Sequence, residues 1–186
     1  EPMNTQSIIR LGGIAAIVRV VLYFASIGLW MGAGTESSPP LATAAYMASQ
    51  AMFFVTLYAL YLIHRDESPA LILVGVLVLG ISIAASFFVD PTDTSNPMVL
   101  YLTIGYGVGG LILGWLASRS PRLSKGLGIA ALLTGALSLA MVPFILAGAA
   151  EMVGLLNLLL SLPYLVWLGW LGWHLLRHSA MVVQAT

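Results

Sequence analysis

Six stretches of about 20 residues, each apolar almost throughout, limit what this chain can fold into. They run roughly Ile8–Met31, Leu41–Ile63, Pro69–Val89, Met98–Ala117, Ser124–Ala147 and Ala150–Leu176. A helix needs about 20 mostly apolar residues to cross a bilayer. Inside lipid the backbone must satisfy its own hydrogen bonds, so such stretches read as helices. Composition agrees: 60% of residues are hydrophobic and 8% charged, against roughly 25% charged in a soluble domain. The pattern predicts an all-α integral membrane protein, with six transmembrane helices in one bundle and a single domain over 1–186. Met3 reads as the native start, preceded by Glu1 and Pro2, and the first run reads as a retained helix rather than a cleaved signal.

The breaks between runs carry turn chemistry. Gly32–Pro40 ends in a Pro pair, Asp90–Pro97 reads DPTDTSNP, and Arg119–Lys125 reads RSPRLSK. The links at His64–Ser68 and Gly148–Ala149 are short enough to require antiparallel neighbours. Basic residues set the orientation, because cytoplasmic loops collect Lys and Arg. Arg10, Arg65, Arg119, Arg122, Lys125 and Arg177 all fall on one side of a six-span chain, whereas Glu36, Asp90, Asp93 and Glu151 fall on the other. Both termini are therefore expected on the cytoplasmic side. Trp30 is placed at the outer boundary, and Tyr61, Trp115 and Trp173 at the inner one, as interfacial aromatics.

Arg19 is the most unusual residue. It stands near the middle of the first run, where an Arg costs roughly 2.5–3.5 kcal/mol to insert. Nine strongly apolar neighbours in the same run, at about 0.3–0.6 kcal/mol each, offset that cost. No acidic residue lies at matching depth. The preferred reading lets the span slide outward so that Arg19 snorkels to the headgroups. The alternatives are an internal polar contact or a bound anion, with Gln50, Asn157 and tyrosine hydroxyls as partners. Tyr46, Gln50 and Phe54 share one helix face by their spacing of four, as do Asn157 and Ser161 on another. If a ligand binds, Arg19, Gln50 and Asn157 are the residues expected to hold it, in a pocket between the first, second and sixth spans.

Gly105–Gly109 and Gly110–Gly114 form two GxxxG pairs in the fourth run. Small residues four apart let another helix backbone approach closely. They read first as packing within the bundle, and second as a contact of helix 98–117 with a membrane partner or another copy of the chain. Ala131 and Gly135 offer the same spacing. Pro143 and Pro163 are expected to kink the runs they occupy. Residues 10–64 and 125–177 resemble a parallel repeat: Gly13–Ala16 matches Gly128–Ala131, and each segment opens on a basic residue.

Catalytic sets are scarce. No acidic residue lies in the interior of a run, Glu151 standing at the very start of the sixth, cysteine is absent, and there is no HExxH, P-loop or serine-elbow motif. His64, His174 and His178 all fall at the inner boundary, a poor match to stacked haems at two depths. Net charge is zero, which argues against nucleic acid. In size and six-span plan the chain is similar to the vitamin-binding subunits of modular importers, with no matching motif, so no residue roles follow. The residues read best as a non-enzymatic protein of the cell membrane, a multi-pass protein of a prokaryotic plasma membrane. It would act as a small-ligand binding or transport component or as an accessory subunit, without cofactor or metal. One alternative is an intramembrane enzyme on a lipid or isoprenoid, with His64, Asp66 and Glu67 as acid and base. The other is a haem- or pigment-binding subunit.

Overall fold

The computed structural model describes residues 4–33, 39–89, 93 and 95–184. The expected chain start at Met3 lies outside them, as do Glu36 and Asp90. Seven helices follow one another, with no strand among the described residues: α1 Thr5–Ala33, α2 Pro40–His64, α3 Pro69–Ala85, α4 Pro97–Arg119, α5 Lys125–Ala140, α6 Val142–Leu146 and α7 Ala150–Gln184. Among the described residues, five helical stretches are long and apolar enough to cross a membrane. Four are α1, α2, α4 and α7, and the fifth is α5 with α6, read as one path over Lys125–Leu146.

Two runs differ from the expected spans for local reasons. The third, expected over Pro69–Val89, is helical only to Ala85. Its 17 residues rise about 26 Å at 1.5 Å each, short of a hydrocarbon core of about 30 Å. It stops at Ser86, whose hydroxyl donates to the Ile83 carbonyl at 2.7 Å. The fifth, expected unbroken over Ser124–Ala147, is interrupted at Met141. Pro143 lacks the N–H that an unbroken helix would need there, and α6 restarts with this proline in its first turn. Pro163, by contrast, lies inside α7 without ending it.

Three helix starts, those of α1, α4 and α5, are capped by side chains. Asn4 accepts from the Ser7 N–H at 2.8 Å, Asn96 from Met98 and Ser124 from Leu127. Each covers a donor that has no partner within its helix. Gly148 closes α6 with φ of 66°, a left-handed conformation that glycine adopts without strain, and it turns the chain directly into α7.

The helices pack α1 on α2 and α7, α3 on α4, and α5 on α4 and α7. Close approach at glycines makes this possible. A Cβ on Gly110 would sit 3.1 Å from the Gly135 Cα, and one on Gly114 would collide with the Leu132 backbone at 2.5 Å. Gly105 and Gly109 face Ser82 and Leu79 of α3 instead. The two glycine pairs therefore serve α3 on one side of α4 and α5 on the other, both within the chain. Gly13 and Gly172 bring α1 and α7 together in the same way. Ser138 donates to the Thr103 carbonyl at 3.1 Å, joining α5 to α4.

The outward faces are as apolar as the core. Phe24, Leu77, Ile81, Ile129, Leu158 and Val166 all stand exposed, each at more than half its free surface. A water-soluble bundle would place charged residues there, and lipid is the solvent that such a surface suits.

Candidate functional site

Polar side chains gather at two places. The first is the end of the bundle where the basic loops meet. His64 Nδ1 lies 3.0 Å from Glu67 Oε2, and Ser120 donates to the other Glu67 oxygen at 2.9 Å. The buried Arg122 side chain lies 3.6 Å from that oxygen and donates to the Ile63 carbonyl. His174 of α7 stands 3.2 Å from the Arg122 carbonyl and packs on His178 at 4.8 Å between ring centroids. Asp66 pairs instead with Arg65 at the surface. The network ties the α2–α3 turn to the α4–α5 loop and to α7. Of the three residues expected to supply acid and base, Asp66 points away, and Glu67 holds the loops together.

The second place is a cavity of about 230 Å³. Its lining residues run from the middle of the helices toward the end away from the basic loops: Arg19 to Trp30 on α1, Tyr46 to Phe53 on α2, Val99 to Gly110 on α4 and Val153 to Trp167 on α7. Leu79 and Ser86 add the α3 wall, and Ala131, Thr134 and Ser138 the α5 wall. The cavity thus extends beyond the first, second and sixth spans, because α3, α4 and α5 also contribute to it.

Arg19 forms part of this wall and is 3% exposed. The preferred expectation, that it would snorkel, is not met. A partner fixes it instead: Nη2 donates to Gln50 Oε1 at 2.6 Å. Its guanidinium also lies 3.9 Å from the Phe53 ring centroid and 5.3 Å from that of Tyr164. Cations are attracted to ring faces at such distances, most strongly when desolvated. Nε and Nη1 are buried with no hydrogen-bond partner, and so is the Tyr164 hydroxyl. Among the described residues, no Asp or Glu lines the cavity.

Gln50 passes the directionality of Arg19 onward. A guanidinium only donates, so the Gln50 carbonyl must face it. The Gln50 amide nitrogen is then left to donate to Tyr46 at 2.8 Å, Ser86 at 3.2 Å and Tyr106 at 3.3 Å. Since these oxygens accept from Gln50, the phenolic O–H bonds of Tyr46 and Tyr106 point away from it. On the other walls the hydroxyls of Thr103, Thr134, Ser138 and Ser161 donate to main-chain carbonyls. Among the described residues, the buried donors left without a partner in this wall are therefore those of Arg19 and Tyr164, and the half-buried Asn157 amide adds donors on α7.

Arg19 and Gln50 are brought into direct contact. Asn157 lines the same cavity, half-buried, but its amide makes no hydrogen bond among the described residues. Phe54, expected on the Tyr46–Gln50 face, is 40% exposed, and Phe53 takes the place against Arg19. Sequence reading missed Phe53, Tyr106 and Tyr164. The hydrophobic spacing of α4 and α7 gives no sign that these aromatics converge on α1. No family model, curated protein or solved structure matches the chain.

Proposed function

We propose that the chain is a six-pass protein of a prokaryotic plasma membrane that binds a small molecule within its bundle, as a binding or transport component. Both termini and the basic end with Arg122 face the cytoplasm, and the cavity lies toward the outer half. The observation that carries this reading is Arg19, a buried cation with Nε and Nη1 unpartnered, lining a cavity in which no Asp or Glu stands among the described residues. Leaving a buried charge without compensation is strongly destabilising, so a ligand that supplies the missing acceptors gains what the empty bundle forgoes. The short links between the described helices fit a protein that works through contacts.

The test is mass spectrometry of small molecules retained through mild-detergent purification of wild type and Arg19→Ala. A specific molecule retained by wild type and absent from the variant is expected. Wild type free of any retained molecule, with a partner protein in its place, would favour the accessory-subunit reading.

A further inference from the structure

We propose that the ligand is a small monocarboxylate with an uncharged, apolar body, an inference that rests on the binding reading above. Three features of the cavity converge on it. The first is charge. Arg19 brings one positive charge into the wall, and among the described residues no carboxylate lines the cavity to balance it. A monoanion neutralises the site, whereas a dianion would leave excess charge in a low-dielectric interior.

The second is the direction of the hydrogen bonds. Nε and Nη1 of Arg19 carry three N–H bonds between them, and neither atom has a partner. The Tyr164 hydroxyl is also unpartnered. Gln50 occupies the oxygens of Tyr46 and Tyr106 as acceptors, which turns their O–H bonds toward other groups. Around Arg19 the wall offers donors, and the carbonyl of the Asn157 amide stands on α7. A carboxylate is the complement, with two oxygens that only accept, and charge-assisted bonds of this kind are about twice as strong as neutral ones.

The third is the remainder of the lining. Beyond Arg19 the lining sets Val99, Leu102, Val153 and Leu160 beside uncharged polar side chains such as Asn157, and among the described residues no second charged side chain lines the cavity to hold an ionised tail. At about 230 Å³ the space is smaller than the roughly 300–1,000 Å³ that takes a drug-sized molecule. The body is therefore compact.

The experiment is calorimetric titration of the full chain in mild detergent with four probes: 3-phenylpropionate, its neutral amide, inorganic phosphate and phosphatidylglycerol. Saturable binding of 3-phenylpropionate alone is expected. Arg19→Gln should weaken it at least about tenfold. Tyr164→Phe, which keeps the ring and the fold, should weaken it by a smaller factor and provides the readout if Arg19→Gln fails to fold. Equal binding of acid and amide, unchanged in both variants, would overturn the carboxylate while leaving a binding bundle. Saturable binding of phosphate, or of phosphatidylglycerol alone, would assign the anion to a free ion or a lipid headgroup and overturn it too. If no probe binds and no molecule co-purifies with wild type, both the inference and the binding reading fall.

Discussion

The guanidinium of Arg19 and the side-chain amide of Gln50, 31 residues apart on neighbouring helices, meet at 2.6 Å in the interior of the bundle. Both are almost fully buried. The contact converts an insertion cost into a fixed point: Arg19 holds the Gln50 carbonyl, and Gln50 in turn orients three hydroxyls. Gln50→Leu should therefore destabilise the protein by about 1.5–3 kcal/mol, the usual worth of a hydrogen bond to a charged group. Adding Arg19→Met should recover most of that loss, since apolar replacement of a whole buried polar set is often neutral. Denaturant titration in detergent, followed by tryptophan fluorescence, measures the cycle. Simple addition of the two losses would show that the residues act independently.

The glycines of α4 separate by what a side chain would meet. Gly114→Leu forces a side chain into the backbone of Leu132, and overpacking of this kind costs about 1–3 kcal/mol. Gly154 and Gly169 have nothing within 4 Å of an added Cβ. Alanine there should be neutral or stabilise α7 by about 0.5–1 kcal/mol through reduced chain entropy. Thermal unfolding of the three variants checks the ordering. Equal stability of Gly114→Leu and wild type would contradict the close α4–α5 packing.

At the basic end, Arg122 should matter far more than Arg65. Arg122 reaches the Ile63 carbonyl and Glu67 from a buried position, whereas Arg65 pairs with Asp66 in the open. Such exposed pairs are worth about 0–1 kcal/mol. Arg122→Ala should speed amide exchange in both connecting turns, at 64–68 and 120–124, by about tenfold or more. Arg65→Ala should leave exchange nearly unchanged. Faster exchange confined to one turn would show that the two loops are not coupled through Arg122.

Much of the architecture was legible in the sequence, because length, hydropathy and turn residues act locally. Four of the six expected runs appear as helices within a few residues at most ends, apart from α7, which continues past Leu176 to Gln184. Pro143 gave notice of its break through the N–H it lacks. The short α3 was not legible, since Phe87, Phe88 and Val89 are as apolar as the helix before them and no turn residue marks the stop at Ser86. The site was legible in part. Arg19 stood out by its cost in lipid, and Gln50 as an amide at a matching place. The convergence of Phe53, Tyr106 and Tyr164 on Arg19 depends on helix rotation, and these helices are apolar on every side, so no stripe in the sequence marks which face turns inward.

The most direct test of a polar cavity inside a lipid-facing bundle uses the absence of cysteine from the chain, which gives single cysteines a silent background. Asn157→Cys and Thr134→Cys place a thiol in the cavity wall, while Leu158→Cys and Ile129→Cys place one on the outward faces of the same helices. A membrane-impermeant thiol reagent added to intact cells should label the two cavity positions and leave the two outward positions unmodified. Labelling of Leu158→Cys and Ile129→Cys with Asn157→Cys and Thr134→Cys untouched would contradict the cavity and, with it, the account of Arg19 as part of a binding site.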